Sequence, residues 1–426
     1  MRKLHFMKKK LTASRRTWTM ALCFGLGLGA MAAPQTATTM AQDPESTTAT
    51  QDTETVDPTI EVWEKLDDEA KQLAEEMKRT FPADSEAMAM LTAILEGRRM
   101  GPDDGWFAMA KPDGKYQWED MLTRWDANEN GIISQKEFSG DPADFAAMDR
   151  NKDQRWSKSD WEWAHSRGSD TFGILTRFAD TDDSGQIDAA ELKDFADRFA
   201  SEDGKPISLE TFRQLIEPPE RDNGNRRGGP TPSHLVKGLY KQEIGSHQPG
   251  PKVGEVAPDF ELDDLKGQPH SLKEALSSKP TVLIFGNYTC GPYRSQAGNV
   301  RDLIERYQDR VNFLMVYVRE AHPADGWNMT RNQQRGIEIM QPTSYDQRKA
   351  IATQCAQHFD AGVPMLVDSL EDPVGAMYSG MPGRLYLIDQ GQRVIYKSGR
   401  GPHYFWPSDL ENALVAFLND PEVTTP

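Results

Sequence analysis

The stretch Phe285-Gly-Asn-Tyr-Thr-Cys290-Gly-Pro-Tyr293 places a cysteine where an apolar run ends and a helical pattern begins. Glu320-Ala-His322 stands at the end of the next apolar run. A thiol at a helix N-terminus faces unpaired N–H groups and the positive end of the helix dipole, which favour the thiolate. A histidine beside it can give or take a proton, and a carboxylate can orient that ring. Cys290, Glu320 and His322 therefore read as a reactive thiolate with proton-handling neighbours, suited to redox or dehalogenation chemistry rather than simple binding. His270 and His358 lack any such pattern and are expected at the surface.

A second constellation is built from oxygen. Asp126, Asn128, Asn130, Ile132, Ser134 and Glu137 occupy the ligand positions of a twelve-residue EF-hand loop, Ile132 through its carbonyl. Asp180, Asp182, Ser184, Gln186, Asp188 and Glu191 do the same, with Gln186 as the carbonyl ligand. A hard cation takes six to eight oxygens, so alternate residues of a tight loop supply them and the last Glu supplies two. Gly131 and Gly185 permit the sharp turn. The Asp180 loop carries four ligand carboxylates against two at Asp126, so it is expected to bind Ca2+ more tightly. Asp149, Asn151, Asp153 and Asp160 form a weaker copy, in which Gln154 replaces the turn glycine and Asp160 the bidentate Glu. Residues 201–210 keep only fragments of the pattern and are read as a structural partner for the Asp180 loop. Trp156, Trp161 and Trp163 are read as packing between the hands.

These sites imply the elements that must position them. Residues 60–115 show helical spacing, and residues 116–216 form the EF-hand region, four hands with two good loops. Residues 217–250, rich in Pro, Gly and Asn at their start, read as a linker. Residues 251–426 alternate strand and helix patterns. The strands are expected at 281–285, 312–318, 365–368, 384–389 and 393–397, and are apolar enough to be buried on both faces. Val300, Leu303, Ile304 and Tyr307 mark the helix after Cys290. Ser408-x-x-Glu411 predicts a capping box on the last helix. The expected fold is multidomain, an all-α EF-hand region followed by an α/β thioredoxin-like domain.

The chain ends bear on location. Residues 1–33 hold seven Lys and Arg, no acid, and an apolar run from residue 20 that closes on Ala30-Met31-Ala32, a signal-peptide pattern. Arg15-Arg16 gives it a loose twin-arginine character. Residues 34–59 are polar and read as a disordered spacer. The protein is expected to be exported, periplasmic or secreted, without a membrane anchor once the signal is cleaved. Loss of those seven charges takes the net charge from −17 to −24, which disfavours nucleic acid and favours cations. Only Cys290 and Cys355 then remain, too few for a disulfide scaffold.

The C-terminal segment resembles the iodothyronine deiodinase family within the thioredoxin and peroxiredoxin superfamily. The likeness rests on the opening Val253-Gly-Glu-Val-Ala-Pro-Asp-Phe260, on Phe285-Gly-x-x-Thr289-Cys290-x-Pro292-Tyr293, and on Glu320-Ala-His322-Pro-x-Asp325-Gly326-Trp327. Leu366-Val-Asp368-Ser, Arg384-Leu-Tyr386 and Tyr396-Lys-x-Gly-x-Gly401-Pro402 complete it. Cys290 stands where vertebrate members carry selenocysteine. The resemblance implies a thioredoxin-like fold and reductive dehalogenation of a halogenated aromatic with an external thiol reductant. It makes Cys290, Glu320, His322 and Arg384 the catalytic residues, and Cys355 becomes the candidate resolving thiol. Met381-Pro382 falls where such folds place a cis-proline beside the cysteine. Two alternatives stay open: a peroxiredoxin-like peroxidase acting on peroxide, and a calcium-stabilised binding or scaffold protein whose catalytic domain has decayed. A Cys-x-x-Cys exchanger is disfavoured because position 293 is Tyr.

Overall fold

The computed structural model describes residues 58–166, 179–182, 184–197 and 230–421. The expected signal, the spacer up to residue 57, residues 201–210 and residues 217–229 of the expected linker lie outside them.

Ten strands are described: β1 (Asp113–Gly114), β2 (Ile133–Ser134), β3 (Arg155–Trp156), β4 (Glu261–Asp263), β5 (Pro269–Ser271), β6 (Thr281–Gly286), β7 (Asn312–Tyr317), β8 (Met365–Val367), β9 (Arg384–Ile388) and β10 (Val394–Lys397). The main sheet runs β1-β10-β9-β6-β7-β8. β6, β7 and β8 are parallel, while β9 runs antiparallel on the other side of β6 and β10 antiparallel to β9. β6 is buried along its whole length, as expected of a central strand covered on both faces. A helix follows β6, and the helix Ala297–Tyr307 buries Val300, Leu303, Ile304 and Tyr307, the stripe that its sequence spacing predicts. Central β6, its crossover to β7 and the antiparallel β9–β10 pair make the C-terminal part a thioredoxin-like α/β fold.

Two expectations about this part need correction. The last helix, Pro407–Leu418, is not opened by a capping box: Trp406 is its N-cap, with no side-chain cap bond. Glu411 instead lies under Arg306, Tyr307 and Arg150, because a buried carboxylate is satisfied better by two guanidinium groups than by one N–H. The second concerns the expected linker, residues 217–250, which holds an ordered element. Residues Pro232–Tyr240 form a helix, which packs on the helices Asp68–Thr80 and Glu86–Leu95. Val236 and Leu239 share one core cluster with Ala70, Met77, Leu91 and Trp106.

The helical segment also reaches further than its sequence suggests. β1 adds to the sheet edge beside β10, with Asp113 opposite Lys397. Buried Arg400 pairs with Glu86 at 2.5 Å and stacks its guanidinium 4.2 Å from the Trp106 ring.

After β1, the helix Trp118–Trp125, the loop from Asp126 and the helix Pro142–Met148 form one helix–loop–helix unit. Its β2 pairs antiparallel with β3 of the next loop, Ile133 opposite Trp156. Trp156 is fully buried among Trp118, Trp125, Phe138 and Trp161.

Candidate active site and cation loops

Cys290 ends the turn after β6 as the N-cap of a short helix, Gly291–Arg294, and is only 2% exposed. The turn is held by Asn287, which is fully buried. Its Oδ1 accepts from the Cys290 N–H, the Ala321 N–H and the Thr289 hydroxyl, each at 3.1 Å, and its Nδ2 donates to Pro382 O at 3.0 Å. One amide thus ties the cysteine turn to the segment after β7 and to the Met381–Pro382 peptide, which is cis. Thr289 adds two links: its N–H donates to Glu320 Oε2 at 2.9 Å and its hydroxyl accepts the His322 N–H at 3.0 Å. Cys290, Glu320 and His322 are therefore brought to one place.

Their chemistry differs from the sequence expectation. Burial pushes the Cys290 thiol up to about 11, although the Tyr293 N–H and the Arg294 charge favour thiolate. The expected depression fails because a four-residue helix offers little dipole and the thiol has lost its water. Glu320 does not orient the imidazole either. Its carboxylate, raised by burial, accepts from Thr289 and from the Tyr317 hydroxyl. His322 Nδ1 lies 3.1 Å from Trp327 O. A carbonyl only accepts, so Nδ1 carries the proton and Nε2 the lone pair. Burial lowers this histidine to about 4, so the ring is neutral near pH 7 and available as an acceptor.

Cys355 is fully buried on the helix Tyr345–Phe359, and both cysteines are free thiols. Burial raises the Cys355 thiol, and negative charge at Glu320 acts in the same direction. Arg384 sits on β9 opposite Phe285 and donates to Pro249 O at 3.0 Å. Its charge acts on Lys397 and Arg400, lowering them to about 7 and about 10, in each case after burial. His358 is half-buried with its ring 5.9 Å from that of Tyr288, and His270 Nε2 lies 3.4 Å from Asp264, so neither is a loose surface residue.

Three residues that the sequence did not single out complete the site. Asn287 is the first. Arg294, almost fully buried, donates to Tyr288 O and, at 2.8 Å, to Asn332 Oδ1. Asn332, 2% exposed, returns a 2.8 Å bond from Nδ2 to Thr289 O. Amides carry no periodic signal, so only their burial reveals them.

The oxygen-rich loops are preformed by their own N–H groups. Asp126 accepts from the N–H of Asn130 and Gly131 at 3.1 and 2.7 Å, and Glu137 from the N–H of Ser134 at 2.9 Å. Gly131 and Gly185 have φ of +77° and +74°, the left-handed turn that favours glycine. Gln154 makes the same turn at φ +66°, and Asp149 accepts from the N–H of Asp153 and Gln154 at 3.0 and 2.8 Å. In the third loop, oxygens of Asp180, Asp182 and Glu191 lie within 4.8 Å of one another. This donor set fits a hard divalent cation.

Residues 233–417 match the family model described as iodothyronine deiodinase. The type I iodothyronine deiodinase of Xenopus laevis is 30% identical over 163 residues, 38% of this chain and 62% of that protein. Thyroxine 5-deiodinase of Homo sapiens is 32% identical, covering 41% of this chain and 54% of that one. Type II iodothyronine deiodinase of Neoceratodus forsteri is 32% identical, covering 39% and 64%. The chain thus spans just over half to under two thirds of the length of these relatives. Among solved structures, the thioredoxin domain of a thiol-disulfide oxidoreductase from Bacteroides vulgatus aligns at 17% identity and TM-score 0.29, over 40% of this chain and 100% of that one. A peroxidoxin from Mycobacterium tuberculosis aligns at 19% and 0.26, over 38% and 93%. The thioredoxin-like part of this chain, residues 233–417, is accordingly the part that matches the iodothyronine deiodinase family.

Proposed function

We propose that this protein is an exported, calcium-binding, deiodinase-like oxidoreductase that uses Cys290 as its nucleophile. The observation that carries this reading is the Asn287–Thr289 bridge, which joins Cys290 to the Glu320 and His322 segment inside a deiodinase-like domain. In the proposed step the Cys290 sulfur, as thiolate, attacks the iodine of an iodinated phenol. The carbon–iodine bond breaks, the carbon takes a proton relayed through the neutral His322, and sulfur becomes a sulfenyl iodide. A second thiol then forms a disulfide with Cys290, releasing iodide and a proton. Cys355 is the candidate partner, and an external dithiol supplies the two electrons that restore both. In this reading Arg384 holds the segment at Pro249 in place.

Calcium is proposed for the loops from Asp126 and Asp180, and weaker binding for the loop from Asp149. The convergent oxygens of Asp180, Asp182 and Glu191 support the tighter affinity at the second. Export is proposed from the basic, then apolar, first 33 residues.

A second reading, a calcium-stabilised binding protein with a silent cysteine, is favoured by one observation, the burial and raised pKa of Cys290. The deciding assay compares the protein with Cys290→Ser, in calcium and a dithiol, for iodide release from iodinated phenols and for peroxide consumption. Iodide release that Cys290→Ser abolishes is the expected result. Peroxide loss alone marks a peroxidase, and silence in both supports the binding protein.

A further inference from the structure

The loop that begins at Asp180 lies against the helix Ala297–Tyr307 and the end of the helix Thr330–Gln334. Gly185 and Gly298 meet backbone to backbone: a Cβ on Gly298 would come within 2.4 Å of Gly185 O, and one on Gly185 within 2.6 Å of Ser295 O. Gly185 is thus needed twice, for its turn and for this approach. Arg301 on the same helix donates to Gln186 Oε1 at 3.0 Å and to Ser184 O at 3.4 Å. From the other side, Arg335 donates to Thr181 O at 3.0 Å and to Asp180 O at 3.4 Å.

Arg335 is the C-cap of the short helix Thr330–Gln334. Asn332, on that helix, holds Thr289 O and the Arg294 guanidinium, each at 2.8 Å. Thr289 and Arg294 lie on the two sides of Cys290 in the chain. A continuous run of hydrogen bonds therefore leads from the loop carbonyls through Arg335 and Asn332 to the cysteine turn.

The geometry points to the helix Thr330–Gln334 as a strut that couples filling of the Asp180 loop to Cys290. This rests on the calcium reading of that loop. N–H groups of the loop already bring the Asp180, Asp182 and Glu191 oxygens together, and a cation bound among them would offset their mutual repulsion and stiffen the loop. The stiffened loop fixes the Asp180 and Thr181 carbonyls, which fixes Arg335 and, through it, Asn332. The filled loop keeps the cysteine turn closed, and the empty loop lets it open. Asn332 and Arg335 are positioning residues; neither touches the sulfur.

The test measures iodoacetamide labelling of Cys290 by mass spectrometry on the full chain, in calcium chloride or in chelator. Calorimetry with calcium chloride is run on the same samples. The expected rate is about tenfold higher in chelator, as for a site protected by a local closed state. The ratio should fall to about one in Arg335→Ala and in Gly298→Ala while calorimetry still shows calcium binding, and Arg335→Lys should restore part of it. Asn332→Ala should label fast in both conditions. Calcium binding that leaves the wild-type labelling rate unchanged overturns the strut, as does a ratio that survives in Arg335→Ala. Absence of a binding heat that depends on Glu191 overturns the calcium reading itself, and the coupling with it.

Discussion

At the scale of single residues, the site is a buried thiol surrounded by amides. A Cys290 thiol raised to about 11 by burial is protonated near pH 7. Its alkylation in the folded protein should rise roughly tenfold per pH unit between pH 7 and 10, because only the thiolate reacts. A plateau by pH 7 would contradict the burial argument. Asn287→Ala would strand the Ala321 N–H and the Thr289 hydroxyl in a dry interior and leave the Cys290 N–H only its 3.4 Å bond to the backbone carbonyl of residue 287. It should lower stability by about 2–4 kcal/mol in denaturant titration and remove Cys290-dependent activity. Cys290, Glu320 and His322 were legible in the sequence because each falls at the end of an apolar run, where strands deliver their loops. The direction of the Cys290 shift was not, since it depends on what covers the sulfur. Asn287 and Asn332 were invisible for the same reason, as nothing in their spacing distinguishes them from exposed amides. Arg384 illustrates the converse: its motif was legible, yet its guanidinium turns to Pro249.

At the scale of elements, the main strands and the helix after Cys290 followed from periodicity, while the capping-box reading failed on a carboxylate taken into the core and the linker reading on the short apolar face of Val236 and Leu239. The capping-box pattern at Ser408 and Glu411 is local, and the tertiary partners Arg150 and Arg306 outbid it for the carboxylate. The helix Pro407–Leu418 is buried almost all round. It packs on β9 and β10, on the helix after Cys290 and on the helix Trp163–Ser166. The loops from Asp126 and Asp149 are likewise held as a pair by β2 and β3, with Trp156 at their centre. Trp156→Ala should cost about 3–5 kcal/mol, the usual range for deleting a large buried aromatic. It should also weaken calcium binding at the neighbouring Asp126 loop, measured by calorimetry, because the β2–β3 pairing aligns that loop. Unchanged affinity alongside the lost stability would show that the two loops act separately.

At the scale of the whole molecule, the helical layer and the thioredoxin-like domain share burial. β1 closes the sheet edge, Glu86 neutralises the buried Arg400, and Tyr116 donates to Asp420 at 2.6 Å. A chain reduced to residues 233–426 would leave Arg400 unpaired and the β10 edge open, hazards that proteins normally cover. It should melt without a cooperative transition and bind a hydrophobic dye, whereas a sharp melt near that of the full chain would show an independent domain. The central claim is that Cys290 takes the halogen. The direct measurement mixes the 426-residue protein with an iodinated phenol without external reductant, counting iodide and mapping cysteines by mass spectrometry. About one iodide per protein, released together with a Cys290–Cys355 disulfide and absent in Cys290→Ser, is the predicted result. Iodide release with Cys290 still reduced, or no release from protein whose Cys290 can be alkylated, would contradict it.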